Sequence, residues 1–213
     1  MAIFEQLNNK SEQANSWDCL AWLLYHDDQL DAAEEAASRV LDLTSDEGGQ
    51  FLTCGCHRLL GLIYRSKGKT EEAIIHFETA LRIASPFNWH DEIFWNHFHL
   101  AELFLIEERF DDSHTHIEHA KSYTVNDPYT LGRAMRLRGR IWYTEFKFEE
   151  AKSETLRAAD VFEKLGALKE LEGCREILRA IEEEAKSPVT SGEPDSDDEA
   201  GSDSKLGSDG ELL

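Results

Sequence analysis

The feature that most constrains this chain is that it repeats itself about every forty residues. "LLGLIYRSKGKTEEAIIHFETAL" carries Leu60-Gly61, Tyr64, Ala73, Phe77 and Ala80. The same pattern comes earlier as Leu20-Ala21, Leu24, Ala33, Ala37 and Val40, and later as Leu100-Ala101, Phe104, Ser113, Ile117 and Ala120. A fourth copy has Gly139, Trp142, Ala151, Thr155 and Ala158. The small anchors Ala21, Gly61, Ala101 and Gly139 lie 40, 40 and 38 residues apart, and in every copy the second set begins twelve residues after the anchor. Apolar positions recur three and four apart, so each copy reads as two helices. A small anchor lets the paired helices approach closely, and a large residue three places on fills the space between copies. No single pair buries its apolar face alone, so the copies must stack into a solenoid. Pro86 and Pro128 mark stops after second helices.

One stretch suggests a different chemistry. "GLIYRSKGKT", from Gly61 to Thr70, ends as a phosphate-binding P-loop ends. That loop needs a glycine five places before Gly68, where this chain has Ile63, and it must follow a buried strand. Here Leu59, Leu60, Ile63 and Tyr64 form a helical stripe instead, which makes Gly68 a turn between helices.

The two ends extend the repeat. Ile3–Asn9 ("IFEQLNN") aligns with Val161–Ala167 ("VFEKLGA") at an offset of 158 residues, or four copies. The chain therefore opens in the tail of a second helix whose first helix is absent, as a fragment of a longer repeat protein or a truncated product would. Ile3, Phe4 and Leu7 are then partly uncovered, which offers a layer for self-association. At the other end "LKELEGCREILRAIEEEA" reads as a charged capping helix.

Composition narrows the partners. Acids outnumber bases by 43 to 22, a formal charge of -21. That argues against a nucleic-acid backbone, which is gripped by lysine and arginine, and against an anionic membrane surface. No apolar run approaches the roughly 20 residues of a membrane span, and no secretory signal is visible. Cys19, Cys54, Cys56 and Cys174 lack zinc-finger spacing and read as reduced thiols of a cytoplasmic protein. From Ser187 the apolar period stops; the remaining stretch holds eight acids and one lysine. Residues 1–185 are expected to form the solenoid and 186–213 a disordered acidic tail. Ser196 and Ser208, each with an acid three places on, resemble acidophilic kinase sites, and the tail's charge suits a fold-back onto basic groups.

These copies resemble tetratricopeptide repeats. Leu60, Gly61, Tyr64, Ala73, Phe77, Ala80 and Pro86 fall where that family has them, with Pro86 one place late, and Trp17 stands where the family often has tryptophan. Arg138, in the fourth copy, replaces a usual leucine. The resemblance implies an all-α, right-handed solenoid of about four helix pairs plus a terminal capping helix. Phrases such as "LDAAEEAASRVLDL" and "RFDDSHTHIEHAKSY" look like the C-terminal arrays of fungal signalling ATPases of the NB-ARC and NACHT type.

No chemistry competes with this reading. Histidines crowd His97, His99, His114, His116 and His119, yet no pair has the spacing of the zinc-protease motif. His114 and His116 point about 200° apart on a helix, while His116 and His119 are about 60° apart. No cysteine or carboxylate completes a ligand set, so no metal and no cofactor is expected. There is no G-x-S-x-G turn and no catalytic constellation.

The resemblance implies that partners bind in the groove lined by the first helices. The repeat register places Asp18, Trp22 and Tyr25 there in the first copy, and Arg58, Leu62 and Arg65 in the second. The third contributes Trp95, Phe98 and Glu102; the fourth contributes Arg133, Arg136, Arg140 and Tyr143. Arg133, Arg136 and Arg140 share one helix face. Arginines beside aromatics suit an acidic or carboxylate-bearing peptide, unless they merely balance neighbouring glutamates. Asp18 and Trp22 stand where chaperone-binding relatives carry clamp residues, which argues against that partner class. The expected function is a non-catalytic protein-interaction scaffold. The alternatives are a sensor arm of a nucleotide-driven signalling protein and a self-associating module.

Overall fold

The computed structural model describes residues 10–44, 49–124 and 127–186. The expected N-terminal half layer at Ile3, Phe4 and Leu7, and the acidic tail with Ser196 and Ser208, lie outside the described residues. Among those described there are nine α-helices, one short 3-10 turn at Ser85–Phe87, and no strand. The helices are α1 (Lys10–His26), α2 (Leu30–Leu43), α3 (Gln50–Ser66), α4 (Thr70–Ala84) and α5 (His90–Ile106). They continue with α6 (Phe110–Ser122), α7 (Pro128–Thr144), α8 (Phe148–Leu165) and α9 (Leu168–Lys186). The first eight form four antiparallel pairs, and α9 packs on both α8 and α7.

The pairs form because small residues meet large ones at fixed places. Ala21 and Ala101 are fully buried at the anchor, and the second-helix starts Ala33, Ala73, Ser113 and Ala151 are all buried. Gly61 faces Phe77: a methyl group placed on Gly61 would lie 2.6 Å from the ring. Gly132 likewise admits the ring of Phe162, at 2.9 Å from a methyl placed there. Ser113 buries a hydroxyl at this tight contact and satisfies it by donating to the Ala101 carbonyl at 2.8 Å.

Each turn from first to second helix contains one left-handed residue seven places after the anchor. These are Asp28, Gly68, Glu108 and Phe146, with φ of 59°, 71°, 57° and 61°. Gly68 thus serves the turn, as the failed P-loop spacing predicts. Phe146 adopts the same φ despite its bulk and is 78% exposed, so the turn geometry overrides the side chain's preference.

The pairs stack so that first helices touch one another: α1 with α3, α3 with α5, α5 with α7, and α7 with α9. Second helices instead pack chiefly on the first helices beside them. The tighter row of first helices therefore lines the concave side of the stack.

The two glycines of α3 make a paired test of close approach. Nothing lies within 4 Å of a methyl placed on Gly55, whereas Gly61 is closed off by Phe77. Gly55→Ala should raise stability by about 0.5–1 kcal/mol through helix propensity. Gly61→Ala should lower it by about 1–3 kcal/mol through overpacking. Urea denaturation of both variants checks the opposite signs.

Candidate partner-binding face

Stacking of the first helices brings arginines of one copy within reach of acids of the next. Arg58 on α3 donates from Nε to Glu92 Oε2 at 2.8 Å and from Nη2 to Oε1 at 3.3 Å. Its guanidinium also lies 5.2 Å from the Trp22 ring on α1. One side chain thus spans three copies. Glu92 is buried, and Arg58 supplies the charge that makes its burial tolerable. Asp18 sits beside this pair with Oδ1 buried and unpartnered. Burial raises its carboxyl pKa, Arg58 opposes the rise, and Glu92 adds to it. Burial, with help from Glu92, also pushes the Cys54 thiol up to about 12, which leaves it inert as a nucleophile.

The next contact joins α3 to α5. Arg65 Nη1 donates to Glu102 Oε2 at 2.6 Å, and His99 Nδ1 lies 3.2 Å from the same oxygen. Burial alone would raise the Glu102 carboxyl, but the His99 ring and the Arg65 guanidinium outweigh it and pull the pKa down to about 2. His99 itself is pushed down to about 4 by burial, against the upward pull of Glu102. Trp95 stacks on the His99 ring, centroids 5.9 Å apart and planes 24° apart.

The C-terminal part of the face is built differently. Arg133 on α7 reaches over α5, its guanidinium 4.7 Å from the Trp95 ring and 5.0 Å from Phe98, and its Nε is buried without a partner among the described residues. Arg136 Nη1 and Glu170 Oε2 on α9 are 2.7 Å apart. That approach is off the line of a hydrogen bond and leaves Oε2 otherwise unsatisfied, so it is a charge contact. The Tyr129 hydroxyl donates to Glu170 Oε1 at 3.0 Å. Arg140 is exposed, and its guanidinium has no ion pair or hydrogen bond among the described residues.

The residues expected in the groove therefore divide. Trp22, Tyr25, Trp95, Arg133 and Tyr143 are half-buried, and Trp22 meets Tyr25 edge to face at 6.2 Å. Arg58, Arg65 and Arg136 are held by glutamates of the following copy. Phe98 is 2% exposed and Leu62 is buried too, so both form the floor and not the contact surface. The sequence reading missed Glu92, His99, Tyr129 and Glu170. A signal existed: Arg58 to Glu92 and Arg136 to Glu170 are both spaced by 34 residues, one repeat less about a turn and a half of helix. Among the described residues no cluster of three or more His, Cys, Asp or Glu side chains is placed to hold a metal ion. No helix of those residues is long and apolar enough to cross a membrane.

Residues 12–85 match the family model of the tetratricopeptide repeat. That stretch covers α1 to α4. Solved structures extend the likeness over most of the chain. Aspartyl phosphate phosphatase F from Bacillus subtilis superposes at a TM-score of 0.78 and 17% identity, over 83% of this chain and 48% of that one. The chain thus spans about half the length of that structure. PilF of Pseudomonas aeruginosa superposes at 0.58 and 11% identity, over 80% of this chain and 77% of its own. A Podospora anserina putative kinesin light chain with nearly identical TPR-like repeats gives 0.58 and 13%, over 81% and 96%. No curated protein sequence matches the chain. Identities this low speak for the fold alone: a helical repeat of tetratricopeptide type.

The Glu102 cluster predicts an acid dependence. Its folded carboxyl, at about 2, titrates below its unfolded value, so its stabilisation is present above pH ~4.5 and is lost as pH falls toward 2. Glu102→Gln should be less stable than wild type at pH 5, and the gap should shrink by about 1–3 kcal/mol on acidification toward pH 2.5. Urea midpoints across that range read it.

Proposed function

We propose that the protein is a non-catalytic interaction scaffold that binds a peptide or helix of another protein along the concave face, with acidic residues of that partner meeting Arg133 and Arg140. The observation that carries this reading is the contrast among the arginines. Arg58, Arg65 and Arg136 are occupied by glutamates, whereas Arg140 is exposed and has no ion pair among the described residues, and Arg133 sits over the Trp95 ring. A guanidinium seated on an aromatic face has already lost rotamer freedom, and with Tyr129 as its polar neighbour and no carboxylate paired to it among the described residues, Arg133 still has donors to offer a carboxylate. Arginine and tryptophan are also the residues on which binding energy concentrates. A cytoplasmic location belongs to the same proposal and is supported by the four free cysteines.

A second reading, self-association at the N-terminal edge, has one observation in its favour. Leu23 on α1 is 65% exposed, while its counterparts Ile63 and Leu103 are at 0% and 2% against the preceding copy. Light scattering at tens of micromolar decides it: a strict monomer removes the reading, and a dimer abolished by Leu23→Glu establishes it. The third reading, a sensor arm of a fungal signalling ATPase, rests on the likeness of the repeats alone. A P-loop domain encoded in frame upstream would support it.

Selection from a displayed random-peptide library tests the main proposal. Peptides rich in Asp and Glu should be recovered, and Arg133→Glu with Arg140→Glu should weaken them at least about tenfold, or about 1.4 kcal/mol. Lys152→Glu, on the exposed side of α8, should leave affinity unchanged. Recovery of basic or uncharged peptides, or equal loss in the Lys152 variant, contradicts it.

A further inference from the structure

Two histidine pairs occupy the same place in successive repeats. His57 on α3 faces His76 on α4, Nδ1 to Nδ1 at 2.9 Å. His97 on α5 faces His116 on α6 through the same atoms at the same 2.9 Å. Each member of the second pair lies forty residues after its counterpart, which is the repeat period. The corresponding residues are Trp17 and Ala36 in the first copy and Met135 and Glu154 in the fourth. All four imidazoles are half-buried where the two helices of a repeat meet. Aromatic rings hold them in place. Tyr64 stacks on His76 at 5.2 Å with planes 7° apart, Phe104 lies 5.2 Å from His116, and His119 stacks on His97 at 5.1 Å.

Two Nδ1 atoms at this distance share one proton. One ring must be the Nδ1–H tautomer and donate, and the other must be the Nε2–H tautomer and accept. A second proton removes the acceptor. It then sets two N–H groups and two positive charges against each other in a partly desolvated contact.

We propose that the pairs are acid-labile latches: each closes its repeat on a single shared proton, and a second proton opens α3 from α4 and α5 from α6, taking apart the middle of the concave face.

The surroundings favour the closed form near neutrality. Burial, then the partner ring and Arg82 of α4, hold His57 down to about 4. Burial lowers His76, with Glu34 of α2 pulling the other way. Glu34 also accepts from the Tyr64 hydroxyl and from Lys67 of α3. Burial, then His116 and His119, hold His97 down to about 4. His116 is lowered by burial and His119, raised by Asp112, and lowered again by Arg109 in the preceding turn. Helix α5 places no charged side chain that shifts the first pair, and α4 and α7 place none that shifts the second.

The sign follows from linkage. An unfolded histidine titrates near 6.5, so below that pH the unfolded chain takes up protons that the folded pairs refuse. The stability is complete above pH ~6.5 and is lost as pH falls toward 4. Carboxylates titrate mainly below pH 5, and those of the two chains compared in the test are the same. His99, at about 4, does act there and must be kept constant in the test.

The test grafts the first copy's own pair into the next two. His57→Trp/His76→Ala with His97→Trp/His116→Ala is compared with the wild-type chain by urea denaturation from pH 7 to 5, His99 being unchanged in both. The wild-type unfolding constant should rise at least about four-hundredfold more than the variant's over that range, since each of the two sites at about 4 contributes roughly twentyfold. Equal pH dependence in the two chains overturns the proposal. Imidazole 15N NMR of the wild-type chain gives a readout that needs no variant. One Nδ1–H and one Nε2–H tautomer in each pair, neutral down to pH 5, support the latch. Two like tautomers, or rings that titrate near 6.5, refute it.

Discussion

The structure rests on how closely the two helices of a repeat approach one another. At Gly61 the approach leaves no room for a single methyl, because the Phe77 ring occupies that space. Everything outward depends on this contact. A close pair presents small residues on its second helix, such as Ala80 and Ala120, and these accept the first helix of the next copy. Stacking of first helix on first helix then brings Arg58 within 2.8 Å of Glu92 and Arg65 within 2.6 Å of Glu102. The concave face is a consequence of packing before it is a binding surface.

That face carries charge in two states. Arg58, Arg65 and Arg136 are committed to the neighbouring copy, so their ion pairs fix how one repeat sits on the next. Buried or half-buried pairs of this kind add little net stability, but the loss of one partner is costly because the other charge is left stranded. Arg133 contacts the preceding copy through the Trp95 and Phe98 rings and not through an ion pair, and Arg140 has no ion pair among the described residues. Helices α3 and α5, which carry Arg58, Arg65 and their glutamate partners, also carry His57, His97 and His99, so this middle part of the face is the part most sensitive to acid.

Much of the fold was legible in the sequence, because periodicity and small anchors are local signals. Gly61 with Phe77, the twelve-residue step to Ala73, and Gly68 as a turn residue all follow from spacing. The face was legible only as a register: the chain shows that Arg58, Arg65, Trp95 and Arg133 point one way, but not what they meet. The partners Glu92 and Glu170 stand on another helix, and their 34-residue spacing gains meaning only once the stacking offset is known. Phe98 was placed on the surface because register gives direction and not depth. The histidines show the same limit. Single-helix angles bring His116 and His119 together, whereas the hydrogen bond of His116 crosses to His97 on the helix before.

The central claim is that arginine-to-glutamate contacts between successive copies shape the concave face. A double-mutant cycle on Arg58 and Glu92 tests it most directly, using Arg58→Met, Glu92→Gln and both together, read by urea denaturation. A bidentate pair that bridges α3 and α5 predicts that each single change costs several times more than the double, with a coupling of about 2 kcal/mol. Additive single changes, with coupling near zero, would contradict the claim.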